Sequence, residues 1–332
     1  MITNRLLIAI KKCSAFTLFA LFFIQNLAYS QIDFPSNQGE VIHHKYYSLS
    51  YIEKAEQPEW VAYKLTRTML KKVVNRNDEF HDDWHIESGS ASYTDYENYD
   101  AGHLCPARQM QFDCTAMHET FFMSNMSPQV PEFNRRAWAI LEKLERNMVW
   151  KRGELWIYVG PILSDIDTTI GENKVAVPKK FYRILYDPTN DESLAFLMPN
   201  ERILAPLESF VVSIDSIESI TNIDFFNDFT VEHQKRLEAN KTSSGWSFEN
   251  PNLTYGYTAK ARDCSTAEIL NQQAKISINQ ASKAALMQLP NIGPEKAQAI
   301  MLRRPFKSTY DLLKVKGIGP ATFEKLKSYI VL

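Results

Sequence analysis

Tyr99-Asp100-Ala101-Gly102-His103-Leu104 and, further along, Phe133-Asn134-Arg135-Arg136-Ala137-Trp138 are the stretches on which the reading of this sequence turns. A histidine, with an unperturbed pKa of about 6.5, serves as a general base near neutral pH, and this one stands next to a glycine and an acid. Asn134 precedes a run with helical spacing from Ala137 to Val149. Trp138, Leu141, Leu144 and Met148 fall on one face, and Glu142, Glu145 and Arg146 lie on or beside the other. A neutral amide oxygen surrounded by water suits a hard, hydrated cation such as Mg²⁺, with Mn²⁺ or another divalent ion as the alternative. No Cys pair has zinc-ligand spacing. A base and a hydrated cation are the minimum for phosphodiester hydrolysis. Taken singly, however, a histidine after glycine and the asparagines Asn125 and Asn134 are more commonly turn and cap residues.

Around these stretches lie short aromatic and β-branched runs, 60–65, 155–159, 181–186 and 193–198, bounded by turn residues and read as strands. The acidic, aromatic stretch Ser213 to Asp228 carries no assignable chemistry. At 332 residues the chain has room for about two domains. Its 45% apolar and 23% charged residues exclude a disordered, collagenous or multi-span membrane protein. Arg5, Lys11 and Lys12 precede the apolar run Cys13 to Ile24, and Ala28-Tyr29-Ser30 places small residues where a signal peptidase reads. Residues 1–30 are therefore expected to be a secretory signal, sending the chain to the periplasm or the medium with no stable membrane partner. Oxidising conditions then suit one disulfide among Cys105, Cys114 and Cys264. Cys105 with Cys114 is the favoured pair, and three small buried thiols are the equal alternative.

The net charge of −2 conceals a strong asymmetry. Without the three basic residues of the signal it becomes −5; residues 275–332 carry +7, which leaves −12 on residues 31–274. The basic tail holds an approximate repeat: Leu289-Pro-Asn-Ile-Gly293-Pro-Glu-Lys296-Ala297 and Val315-Lys316-Gly317-Ile-Gly319-Pro-Ala-Thr322. Each has an apolar residue, a tight turn and a helix opening on proline, where the missing N–H costs nothing. Glycine at the turn lets backbone approach a ligand, and free N–H groups at the helix start attract phosphate. Gly293, Lys296, Gly317, Gly319, Lys316 and Lys325 are the candidate phosphate-binding, and so DNA-binding, positions, and Asn291 stands where the second unit has Gly317. The tail resembles a tandem helix-hairpin-helix module of the kind found in bacterial competence proteins that take up DNA. That resemblance implies phosphate-directed, sequence-independent binding. The alternative is a small helical packing module with a solvated basic face.

Seven elements occur in order: Trp60 to Thr66, Asn75-Arg76, Asp100-x-Gly-His103, Phe122 to Gln129 around Asn125, Phe133-Asn134-x-x-x-Trp138-x-x-Leu-Glu142, Tyr158-Val-Gly-Pro161 and Val177-Pro178. Together they resemble the DNA/RNA non-specific endonucleases with a ββα-metal finger, the family that includes mitochondrial endonuclease G, over roughly residues 55 to 230. The resemblance implies an α+β fold: a ββα-metal (His-Me finger) domain with a mixed or antiparallel sheet, followed by the small all-α tail. Its expected division is signal 1–30, nuclease domain 31–240, linker 241–272 and helix-hairpin-helix domain 273–332. It implies a Mg²⁺-dependent enzyme cleaving DNA and RNA, with His103 as general base, Asn134 as the direct metal ligand and Glu142 holding the metal through water. Asn125 supports the site, Asp100 holds the His103 loop, and Arg76 and Arg146 meet the phosphate or the transition-state charge. One position departs from the pattern: Ala101 replaces the arginine of the usual Asp-Arg-Gly-His, with Arg108, Arg135 or Arg136 as candidates to compensate. The alternative is a non-catalytic, exported DNA-binding or uptake protein on a decayed nuclease fold.

Overall fold

The computed structural model describes residues 34–86, 88–249, 260–265, 268–269, 275–281, 283–287, 289, 291–327 and 329–332. The expected signal, 1–30, lies outside them. The strands are β1 (Glu40–His43), β2 (Tyr47–Ile52), β3 (Gln57–Thr66), β4 (Asp100–His103), β5 (Met126–Gln129), β6 (Glu154–Pro161), β7 (Thr169–Ile170), β8 (Val175–Ala176), β9 (Lys180–Asp187), β10 (Glu192–Pro199) and β11 (Val211–Val212). Seven of them form one sheet in the order β1-β2-β3-β6-β9-β10-β11, antiparallel at every pairing. The four runs read as strands lie in β3, β6, β9 and β10.

Both faces of this sheet are covered, and the two-residue period of the strands sorts side chains between two cores. Val61, Tyr63, Leu65, Leu155, Ile157, Val159, Phe181 and Leu185 face one core, which the helix α2 (Ala139–Arg152) fills with Leu141, Leu144, Met148 and Val149. Trp60, Ala62, Tyr158, Tyr182, Ile184 and Tyr186 face the other. Ile214, Ile217, Ile223, Phe225 and Phe226 cover that second face, the first two from α3 (Ile214–Thr221). The stretch 213–228, which carried no chemistry in the sequence, is the lid of this second core. Helix α4 (Val231–Glu238) adds Leu237 to it.

One strand position breaks the apolar pattern. Arg183, in the centre of β9, points into the first core and is fully buried. It pairs there with the buried Glu145 of α2, donates to the carbonyl of Leu104 at 3.1 Å and lies 4.4 Å over the Trp138 ring. Tyr63 donates to the other Glu145 oxygen at 3.1 Å. Burial of both charges is tolerable because each finds opposite charge and further hydrogen bonds.

The cysteine pairing differs from expectation. Cys114, the first residue of α1 (Cys114–Glu119), is bonded to Cys264, 150 residues away, and Cys105 is a buried free thiol. Cys105 packs in the sheet core beside Leu104, whereas Cys114 packs with Val74, Met117, Phe121 and Cys264. The two therefore face different clusters. Within the stretch expected as a linker, Trp246 is buried in the sheet core under the Arg152 guanidinium at 3.8 Å, and Arg262 bridges to Val74. The described parts of that stretch are thus packed on the body.

The tail has its own core of Leu286, Leu289, Ile292, Ile300, Leu312, Val315, Ile318, Phe323 and Leu326. It comprises α5 (Lys283–Met287), α6 (Pro294–Leu302), a 3₁₀ segment Thr309–Lys314 and α7 (Pro320–Leu326). Short parallel strands β12 (Ile276–Ser277) and β13 (Ile330–Val331) join its two ends. Gly293 and Gly319 cap α6 and α7, each with proline at the first turn. Asn291 adopts φ +64°, close to the +88° of Gly317, and asparagine tolerates this left-handed conformation better than most residues, so the first hairpin keeps its turn without the glycine.

Replacing one partner of the buried Arg183–Glu145 pair leaves the other charge stranded. Arg183→Met is expected to lower stability by about 3–5 kcal/mol, and Arg183→Met with Glu145→Leu to recover most of the loss. Thermal and urea unfolding of both variants measure this, and equal destabilisation by the single and double variants would contradict the pairing account.

Candidate active site

Strands β4 and β5 pair as Asp100↔Gln129, Ala101↔Pro128, Gly102↔Ser127 and His103↔Met126. A Cβ at Gly102 would run into the Gln129 side chain, so glycine leaves room beside His103 for Gln129 in its observed position. After β5 the chain enters a π-helical turn, Phe133–Trp138, which continues directly into α2. The two strands and the helix form the ββα unit. Within the turn the Ala139 N–H reaches the Asn134 carbonyl, an i to i−5 bond that a regular α-helix lacks. Such wide turns are frequent at functional sites because they re-aim a side chain.

The unit opens on a cleft of about 700 Å³ lined by His103, Asn134, Glu142, Asp100, Arg76, Ala101, Arg108 and Arg135 together with Phe80, Tyr93, Tyr96 and Tyr99. Five of the sequence-predicted side chains (His103, Asn134, Glu142, Asp100 and Arg76) therefore share one wall. Asp100 accepts from the Asn134 amide nitrogen at 2.9 Å and, through both oxygens, from Arg135 at 2.9 and 2.6 Å. It ties β4 to the helix start, and these bonds hold its carboxyl below the usual range against the opposing effect of burial. With its nitrogen committed to Asp100, Asn134 has its side-chain oxygen left as a donor for a cation.

His103 sits against Phe121, ring edge to face at 4.9 Å, and Phe80 at 5.8 Å. Its Nε2 is buried with no hydrogen-bond partner. Burial first, and then the positive charge of Arg76, pushes its pKa down to about 3, so the imidazole is neutral at any physiological pH. Burial pushes Glu142 up to about 7 despite the opposing charges of Arg183 and Arg146. A carboxyl in that condition, facing a cleft with an amide oxygen nearby, is an oxygen donor set that fits a hard divalent cation.

Two residues act from outside the cleft. Asn125 is fully buried; it accepts from the Cys105 N–H at 2.8 Å and donates to the carbonyls of Cys105 and Thr120 at 3.0 and 2.9 Å. It fixes the chain just after His103. Arg146 does not line the cleft, and its charge reaches Glu142 from the next turn of α2. Arg108 lines the cleft with its guanidinium on the Gln111 side chain, whereas Arg135 lines it with its guanidinium on Asp100, the residue before Ala101.

Sequence reasoning missed Arg183, Phe80 and Tyr93. Arg183 was signalled only by one charge inside an aromatic strand. Tyr93 is 54% exposed and stacks on Phe80 at 4.4 Å, and both line the cleft. The fold also brings together His44 and His85, which bind the two oxygens of buried Asp83 at 3.0 and 2.8 Å as an ion-pair triad outside the cleft. In the tail, Lys296 caps the first turn by donating to the Asn291 carbonyl at 2.8 Å and runs alongside Gly317. Lys316 and Lys325 are exposed.

The pattern of the DNA/RNA non-specific endonuclease family matches residues 26–232, and that of a helix-hairpin-helix motif matches residues 271–331. Nuclease C1 of Cunninghamella echinulata var. echinulata is 31% identical over 59% of this chain and 86% of its own length. Mitochondrial endonuclease G of Bos taurus is 32% identical over 54% of this chain and 66% of its own. A solved EndoG/EndoGI complex contains a chain with TM-score 0.57 and 30% identity, covering 62% of this chain and 91% of that one. By sequence pattern, by fold and by the ββα unit around its cleft, the chain is a member of the DNA/RNA non-specific endonuclease family, carrying a helix-hairpin-helix motif at its C-terminal end.

Proposed function

We propose that the protein is an exported, divalent-metal-dependent endonuclease that hydrolyses DNA and RNA without sequence preference. The observation that carries this reading is the convergence of His103, Asn134 and Glu142 on one cleft, with Asp100 bridging the strand of the first to the helix of the others. Residues 1–30 direct export, and residues 273–332 hold the enzyme on its polyanionic substrate, raising the effective substrate concentration without new contacts in the cleft.

His103, held neutral by burial, takes a proton from the attacking water. The Asn134 side-chain oxygen would hold the divalent cation, with Glu142 supporting it through water. When bound, the cation supplies Lewis-acid stabilisation to the phosphate and leaving oxygen. Arg76 and Arg135 place positive charge along the cleft, and Arg135, clamped by both Asp100 oxygens, supplies what Ala101 lacks. Tyr93, exposed and backed by Phe80, offers a face on which a base can stack whatever its identity.

His103→Ala is expected to reduce nicking of supercoiled plasmid in Mg²⁺ by a factor of at least about 100, and EDTA to abolish wild-type nicking. Equal cleavage by wild type and His103→Ala, or none by either, would contradict the assignment and favour a non-catalytic DNA-binding protein. For the arginine exchange, Arg135→Ala is expected to slow cleavage, and Ala101→Arg in that background to restore part of the rate; absence of any recovery would remove Arg135 from the compensating role. In the tail, Lys316→Gln with Lys325→Gln is expected to weaken binding of long DNA and to lower the slope of log affinity against log salt by about 0.9 for each phosphate no longer neutralised. An unchanged slope would make the tail a packing module.

A further inference from the structure

We infer that residues 260–265 form a strap that is a working part of the catalytic wall, that it positions Arg76, and that the Cys114–Cys264 bond makes cleavage sensitive to reduction. This rests on the nuclease reading above. The strap lies outside both matched patterns, 26–232 and 271–331, and so belongs to neither module. It is nevertheless built into the body. Arg262 pairs in parallel with Val74: the Asn75 N–H donates to the Arg262 carbonyl at 2.9 Å, and the Arg262 N–H to the Val73 carbonyl at 3.2 Å. The Asn75 side chain donates to Asp263 at 2.9 Å. On the opposite side the Val73 and Val74 N–H groups both donate to the Gln111 carbonyl, at 2.8 and 2.9 Å. Residues 73–75 are thus clamped between the Gln111 loop and the strap.

Arg76 is the next residue, and its guanidinium reaches the cleft 5.2 Å from the Phe121 ring, on which His103 also rests. The disulfide closes this arrangement. It fastens the strap to the first residue of α1, and Val74, Cys114, Met117, Phe121 and Cys264 form one apolar cluster behind the wall. Without the bond, the strap is retained at Val73–Asn75 chiefly by main-chain hydrogen bonds and the Asn75–Asp263 contact, which water can replace at small net cost. The reductive step is balanced: a dithiol gives two electrons and two protons, the Sγ–Sγ bond breaks to two thiols, and the dithiol leaves as its own disulfide. The strap then loosens and the backbone that carries Arg76 loses its clamp, leaving the guanidinium to the exposed Asp78 carboxylate at 2.6 Å, which moves with the same segment.

The test compares oxidised full-length protein with the same protein reduced by dithiothreitol, with thiols counted by alkylation and mass spectrometry. Two readouts are taken: Mg²⁺-dependent plasmid nicking and amide hydrogen exchange at residues 73–76. Reduction is expected to lower kcat/KM at least about tenfold, since small misplacement of a phosphate-binding group is costly. Protection at Val73–Asn75 is expected to fall with it. Cys264→Ser is expected to match the reduced enzyme and to ignore dithiothreitol, and Asp263→Ala, with the disulfide intact, to lie between. Arg76→Ala is expected to be slow in both states with no further loss on reduction. Unchanged exchange protection at 73–76 after confirmed reduction overturns the proposal whether or not the protein cleaves DNA. So does a reduction penalty of equal size in Arg76→Ala, which would mean general loosening of the fold. Failure of the oxidised wild type to cleave, with exchange responding as expected, instead overturns the nuclease reading and leaves the strap's hold on residues 73–76 supported.

Discussion

A guanidinium shielded from water, that of Arg183, lies directly beneath the ββα unit and joins three parts of the molecule that must keep register for the cleft to exist. It rises from the central sheet, pairs with Glu145 on the helix that carries Glu142, and donates to the carbonyl of Leu104, the residue after His103. Sheet, helix and catalytic hairpin are thereby tied at one point. An ion pair of this kind adds little net stability, because desolvation offsets most of the attraction. Its value is geometric, since a shifted helix would leave both charges buried without the hydrogen bonds that satisfy them. The same charge reaches Glu142 and opposes the effect of its burial, which links the architecture to the cleft.

Around this point the cleft is assembled from short-range constraints. Asn125 fixes the main chain of Cys105, Gly102 lets Gln129 close over the hairpin, and Asp100 reaches across to Asn134 and Arg135. The π-helical turn allows Asn134 and Glu142 to line the same cleft although a wide turn separates them. Ala101 follows Asp100 on the hairpin, and Arg135, on the helical side, is held by both oxygens of that carboxylate. The body carries the excess of acidic residues and the tail the excess of basic ones.

What was legible in the sequence depended on range. His103, Asn134 and Glu142 became a constellation only through the ordered motifs that resemble a nuclease family, whereas the strands of the sheet and the amphipathic helix are written within short windows, where periodicity carries the signal. The tail hairpins were legible for the same reason, and Asn291 needed only its tolerance of a left-handed turn to replace glycine. Features closed over long separations were not legible. Cys114 pairs with a residue 150 positions away, so spacing favoured the nearer Cys105, which faces another core. Arg183 looks like one polar position in an aromatic strand, and nothing local says that it points inward to Glu145. Arg135 was one of three arginines that could serve, and only the fold shows which of them Asp100 holds with both oxygens.

The central claim is that the buried Arg183 positions the catalytic hairpin in addition to stabilising the fold. Its most direct test is the steady-state kinetics of Arg183→Lys on supercoiled DNA, under conditions where circular dichroism shows the variant folded. Lysine keeps the charge but loses the planar fork that spans Glu145 and the Leu104 carbonyl. The account predicts a fall in kcat of at least about tenfold with KM little changed. A folded Arg183→Lys enzyme with wild-type kcat would contradict it.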